Sequence, residues 1–185
     1  MINHGLAPPS DWVQRWCREI STAGWVLDLA CGQGRHSRLL LQRGYRVLAA
    51  DQDVSGLADL QGQPNFESMQ VDLETKPWPF EPQSFDAIVV TNYLFRPTLP
   101  RLMAALKPGG VLIYETFADG NGQFGRPSNP DFLLRPGELL HVVSAAGRVV
   151  AYEDVYVDSP KPALVQRICA VRNGGTPRYF PAPSN

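Results

Sequence analysis

The sequence predicts an α/β domain: a seven-stranded, mostly parallel sheet with helices on both faces and an antiparallel hairpin at its C-terminal end. Three observations lead there. Apolar runs rich in β-branched residues alternate with helical patterns from Val26 to Ala146. The first run empties into a glycine turn, Ala30-Cys31-Gly32-Gln33-Gly34, and then a helix. The last two runs are joined through Ser159-Pro160-Lys161-Pro162, short enough for a hairpin.

Taken in order, Ser10 is placed to cap a helix that runs to Ile20, with Trp12, Trp16 and Ile20 on one face. Residues 26–29, 46–50, 87–91 and 111–114 read as buried strands, and 68–71 as a shorter one. Residues 39–43, 54–60 and 100–106 read as connecting helices. Pro100 suits a helix start, and Pro108-Gly109-Gly110 a stop. Residues 116–130 are too rich in Gly, Asn and Pro for regular structure. Pro136 then opens a helix through Ala146, ended by Gly147, and residues 149–157 and 164–171 form the hairpin. One domain over residues 1–173 is expected, with an N-terminal helix or lid (1–23) and a substrate-side loop (116–136). The Pro/Gly-rich tail, 174–185, is expected to be loose.

Composition narrows the function. With 17 basic and 18 acidic residues the net charge is −1, so no broad cationic field gathers nucleic acid, and a nucleic-acid partner is disfavoured. Cys17, Cys31 and Cys169 lie far apart without metal-ligand spacing, which predicts reduced thiols, a cytoplasmic location and no metal site. No apolar run reaches the ~20 residues of a spanning helix, and the N-terminus lacks the order of a signal peptide. A soluble protein without a membrane partner is expected.

The glycine turn carries the chemistry. Asp51 ends the second strand 17 residues after Gly34, where a carboxylate can accept both hydroxyls of a ribose. A strict dinucleotide fingerprint would need a third glycine, and position 37 is Ser. Asp28, just before the turn, would repel a pyrophosphate by several kcal/mol at close range. The same carboxylate suits an ammonium. A ligand with an ammonium, a carboxylate for the helix N-terminus and an adenosine fits better than NAD, and S-adenosylmethionine is such a ligand.

The stretches "VLDLACGQGRHS", "VLAADQD", "MQVDLE", "FDAIVVTNYLF" and "LKPGGVLIYETF", in this order, resemble the class I S-adenosylmethionine-dependent methyltransferases. The resemblance implies a Rossmann-like sheet and the following roles. Asp28 would hold the methionine ammonium, with Ala30, Cys31, Gly32 and Gly34 lining the amino-acid part. Asp51 would take the ribose hydroxyls, with Gln52 flanking the adenine. Asp72 would accept from the adenine amino group, with Leu73 against the ring. Asn92 and Tyr93 would lie near the sulfonium.

No unambiguous general base is visible: His36 and His141 fall on helices and His4 in the N-terminal start, where structural roles are the expectation. The Asn/Asp-Pro-Pro-aromatic motif of amide and exocyclic-nitrogen methylation is absent after the fourth strand. Acceptor-side candidates are therefore Tyr93, Arg96, Glu115, Phe117, Phe124, Arg126 and Arg135, with Phe132 and Glu138 nearby. The "CGxGR" turn, the size and the "RPGEL" segment are partly similar to tellurite-resistance-type methyltransferases, although the last hairpin differs. An oxyanion or chalcogen, or a small organic compound, is the expected acceptor. A non-catalytic S-adenosylmethionine-binding sensor and a nicotinamide-dependent oxidoreductase are the competing readings; Asp28 and Ser37 count against the second.

Overall fold

Seven strands form one sheet in the order β3-β2-β1-β4-β5-β7-β6. They are β1 (Trp25–Leu29), β2 (Arg46–Asp51), β3 (Phe66–Gln70), β4 (Phe85–Thr91), β5 (Leu106–Phe117), β6 (Gly147–Val157) and β7 (Ala163–Arg172). The structure, a computed structural model, describes residues 6–176 and 179–180. Strands β1 to β5 pair in parallel, and β7 runs antiparallel to both β5 and β6. The expected sheet and terminal hairpin are both present.

Alternation along each strand sorts the core into two layers. Leu27, Leu29, Leu48, Ile88, Val90, Leu112 and Tyr114 face α3 (Leu99–Ala105) and α4 (Glu138–Ser144). Val26, Val47, Ala49, Ala87, Val89, Val111 and Ile113 face α1 (Asp11–Trp16) and α2 (Arg35–Gln42). Trp12, Trp16 and Ile20 are all buried in this second layer, as their spacing predicts.

Several boundaries differ from expectation, each for a local reason. The first helix is α-helical only to Trp16 and tightens into a 3₁₀ turn at Cys17–Glu19. Residues expected to form a helix over 54–60 form a 3₁₀ run, Ser55–Leu60. Gly56 lowers helix propensity there, and its face is filled by the Gln33 side chain. The last helix begins at Glu138, not Pro136, because Gly137 is left-handed at φ +72°. Pro108-Gly109-Gly110 belongs to an irregular start of β5, where the register against β4 shifts.

The loop after β5 is more ordered than its composition suggests. Asn121 is buried, donates from Nδ2 to the Pro127 carbonyl at 3.0 Å, and accepts the Leu164 N–H at 3.1 Å. The loop also holds two 3₁₀ turns, Asn121–Gln123 and Pro130–Phe132, the second capped by the Asn129 side chain. Residues 1–5 with His4, and 177–178 and 181–185 of the expected loose tail, lie outside the described residues. Within that tail Phe180 sits beside the Arg148 guanidinium, 5.7 Å from ring centre to Cζ.

Candidate functional site

Strand order reverses between β1 and β4, and ligands of open α/β sheets gather beyond the C-terminal strand ends at such a point. The glycine turn stands there. Ala30, Gly32 and Gly34 are all left-handed, at φ +53°, +53° and +73°. The turn folds back over β2: Cys31 N–H donates to the Ala50 carbonyl at 3.2 Å and Gly34 N–H to the Cys31 carbonyl at 2.9 Å. Cys31 is buried, and burial pushes its thiol well above the usual range, so it is inert wall material.

Asp51 is fixed at the end of β2. Its Oδ2 accepts the Gly32 N–H at 2.8 Å and its Oδ1 the Asp53 N–H at 3.1 Å. Gln52 is exposed beside it, its carbonyl held by Gln70 at 3.0 Å. The Asp51→Ala variant is expected to bind S-adenosylhomocysteine about 5- to 150-fold more weakly, since a hydrogen bond to a charged group contributes about 1–3 kcal/mol. Calorimetry measures this, and parent-like affinity would remove Asp51 from the ligand.

Asp28 is 2% exposed on the face covered by α2. Ser37, which breaks the dinucleotide fingerprint, supplies its partner: Ser37 Oγ donates to Asp28 Oδ2 at 2.6 Å. Burial raises the Asp28 pKa from 3.8 to about 6, opposed by the Ser37 hydrogen bonds.

Beyond β3 and β4 the remaining predicted ligand residues converge less evenly. Asp72 caps its own turn, accepting from Glu74 N–H at 3.0 Å, Thr75 N–H at 3.3 Å and Thr75 Oγ1 at 2.7 Å. The Thr75 hydroxyl, with the Glu74 N–H, holds its carboxyl below the usual range. Leu73 is buried against the α3 layer. Asn92 is left-handed at φ +54° and its N–H donates to the Glu115 carbonyl at 3.0 Å. Next to it the Tyr93 hydroxyl is buried without a hydrogen-bond partner. Burial, with the nearby charges of Glu74, Asp72 and Asp51, pushes that phenol well up, so it stays a donor.

The acceptor-side candidates divide. Tyr93, Glu115 and Phe117 stand at the C-terminal ends of β4 and β5. Arg96 is committed elsewhere: it pairs with both Glu138 oxygens, at 2.8 and 3.0 Å, and donates to the Asp131 and Leu133 carbonyls. Arg126 and Arg135 are exposed on the loop. Phe124, 40% exposed, packs on Tyr156 with ring centres 5.2 Å apart. Phe132 is exposed on the same loop.

His36 is no base. It is 1% exposed with both ring nitrogens engaged, and burial, with Arg35 adding to it, lowers its pKa to about 3. His141 is exposed on α4. A cavity of about 1070 Å³ opens between residues 6–9 and the outer side of α2, with none of the Ala30–Gly34 backbone in its wall. Polar groups rather than volume therefore mark the site. Among the described residues no helix is long and apolar enough to cross a membrane, and no cluster of His, Cys, Asp and Glu could hold a metal ion.

This strand order, with a glycine turn at its reversal and an acidic residue ending β2, defines the Rossmann-like fold of class I S-adenosylmethionine-dependent methyltransferases. Residues 26–110 match the family model for the methyltransferase domain. None of the curated proteins compared matches it. Among solved structures it is similar to TehB from Haemophilus influenzae, with 21% identity, a TM-score of 0.68, and coverage of 89% of this chain and 62% of TehB. It is also similar to a Burkholderia thailandensis 1,6-didemethyltoxoflavin-N1-methyltransferase bound to 1,6-didemethyltoxoflavin and S-adenosylhomocysteine, with 21% identity, a TM-score of 0.62, and coverage of 88% and 77%. A Listeria monocytogenes methyltransferase superposes with 14% identity, a TM-score of 0.64, and coverage of 88% and 98%.

Proposed function

We propose that the protein transfers the methyl group of S-adenosylmethionine to a small-molecule acceptor. The observation that carries this reading is the pair of carboxylates, Asp28 and Asp51, on adjacent parallel strands astride the left-handed turn. Both alternate onto the face covered by α2. The residues present fit the cofactor: the Tyr93 hydroxyl is a buried donor with no protein partner, and a Cβ added at Gly32 would meet nothing within 4 Å, which leaves the turn open to a ligand.

In this reading Asp28 attracts the methionine ammonium, and the backbone of Ala30 to Gly34 follows the amino-acid part. Asp51 accepts the ribose hydroxyls, flanked by Gln52. Asp72, bound within its own turn, and Leu73 frame the adenine, while Asn92 and Tyr93 close the sulfonium end. Bound S-adenosylmethionine supplies a sulfonium whose methyl is already electrophilic. The protein then has to align a nucleophile and exclude water, which together contribute about 7–11 kcal/mol of barrier lowering. With His36 buried and neutral, the site favours acceptors that arrive as anions or thiolates and need no base. Three buried cysteines far apart in the sequence suit a reducing compartment, and the reading puts the reaction in the cytoplasm.

Calorimetry with S-adenosylhomocysteine and NADH tests the cofactor, and a radiolabelled-methyl screen over thiols, phenols, amines, carboxylates and oxyanions tests the transfer. Binding of S-adenosylhomocysteine but not NADH, with label on one acceptor class, is expected. Binding of NADH alone, or label on none of the classes, would overturn the proposal.

A further inference from the structure

A chain of polar groups crosses behind the glycine turn. Thr91 Oγ1, at the end of β4, lies 3.3 Å from His36 Nδ1. His36 Nε2 accepts the backbone N–H of Ser10 at 3.0 Å. The Ser10 hydroxyl donates to Glu115 Oε1 at 2.7 Å, and Glu115 Oε2 pairs with Arg167 at 3.2 Å. Arg167 continues to Glu153 on β6 and lies over the Trp12 ring, 4.9 Å from its centre. Six separate segments contribute, and Ser10 is the hinge between them.

Ser10 is fully used. Its Oγ donates to Glu115 while accepting the Trp12 and Val13 N–H groups at the start of α1, at 3.1 and 3.4 Å. Cap, latch and strand end thus share one hydroxyl. Because the Ser10 N–H needs an acceptor, His36 Nε2 carries no proton, which assigns the ring proton to Nδ1 and Thr91 as its partner. Residues ahead of Ser10 continue over α2, where Arg35 donates to the Pro8 carbonyl at 3.2 Å.

We propose that Ser10 and His36 are positioning residues for the transfer: through Glu115 they hold the start of α1 as one wall of the acceptor pocket, beyond the ends of β4 and β5. The inference rests on the methyltransferase reading. In that reading the turn and Asp51 occupy the β1–β2 side and Asn92–Tyr93 follow β4. The nucleophile then approaches from the side that Ser10 and Glu115 border. Packing alone could hold α1, since Trp12, Val13 and Trp16 are buried. It would not call for a hydrogen-bonded chain at the strand ends.

The test compares the full-length parent with His36→Leu and His36→Gln, in which a glutamine oxygen can replace Nε2 as acceptor. Amide hydrogen exchange at Trp12, Val13 and Gln14 should rise at least tenfold in His36→Leu and return to within threefold of the parent in His36→Gln. An apolar filler role would give the opposite ranking and overturn the proposal. Affinity for S-adenosylhomocysteine should stay within threefold in both variants, whereas the KM for the parent's best acceptor in the screen should rise at least fivefold in His36→Leu with kcat nearly unchanged. A parent that labels no acceptor overturns the methyltransferase reading and this inference together. A parent that transfers, with His36→Leu matching it in exchange and KM, overturns this inference alone.

Discussion

Gly34→Val is expected to abolish S-adenosylhomocysteine binding and to destabilise the domain by about 2–5 kcal/mol. Two independent effects add. The residue is left-handed at φ +73°, a region that costs an ordinary L-residue about 1–2 kcal/mol and a β-branched one more. An added Cβ would also stand 2.4 Å from Leu57 Cδ2 and 2.9 Å from Arg38 Nη1. Forced overpacking of that kind costs about 1–3 kcal/mol. Arg38 has little freedom to withdraw, because it bonds the Gln33 and Gly56 carbonyls and the Asp59 carboxylate. Displacing it loosens Ser55–Leu60 together with the turn. Gly32→Ala is the control: it shares a positive φ but meets no atom within 4 Å, so its stability loss should be smaller. Denaturant unfolding and calorimetry measure both, and a Gly34→Val protein that binds like the parent would refute the placement of the ligand on this turn.

Asp28→Asn should stabilise the ligand-free protein at neutral pH while weakening its hold on S-adenosylhomocysteine. Folding raises the Asp28 pKa from 3.8 to about 6, about two units at 1.36 kcal/mol each, or about 3 kcal/mol at most. The native state therefore binds an extra proton between those values. That contribution is fully present below pH 3.8, is lost as pH rises through about 6, and is absent at neutrality. Asparagine keeps an oxygen for the Ser37 hydroxyl without burying a charge, so the neutral-pH cost disappears. Ligand affinity runs the other way, because an ammonium is attracted only by the ionised form. Parent affinity should fall as pH drops below about 6, and that pH dependence should vanish in Asp28→Asn. Unfolding free energies and calorimetric titrations from pH 5 to 8 check both signs. A parent whose affinity is flat across that range would show that Asp28 does not meet the ammonium.

The strands were legible because β-branched runs leave few alternatives once both faces of a sheet are covered. Asp51 and the glycine turn were legible because their chemistry is local, a carboxylate at a strand end beside a left-handed backbone. Ser37 was harder. In one dimension it looks like a missing glycine, and its bond to Asp28 emerges only when α2 folds back on β1. Ser10 announced itself as a helix cap, but its bond to Glu115 spans 105 positions and has no local signature. Arg96 stood among the acceptor-side candidates, and its pairing with Glu138, 42 residues further on, has no local signature. Asp72 is the case where more could have been read: Asp72-Leu73-Glu74-Thr75 is a turn pattern in which Asp accepts from the residues just ahead. Its turn role was visible from sequence, whereas any adenine contact depends on tertiary placement.

The central claim, that two carboxylates astride this turn select an adenosyl amino acid, is tested most directly by a crystal structure grown with S-adenosylhomocysteine. The account predicts density along Ala30–Gly34, the ribose hydroxyls on the Asp51 carboxylate, and the ligand ammonium directed toward Asp28. A ligand bound elsewhere, or a ribose seated away from Asp51, would contradict it.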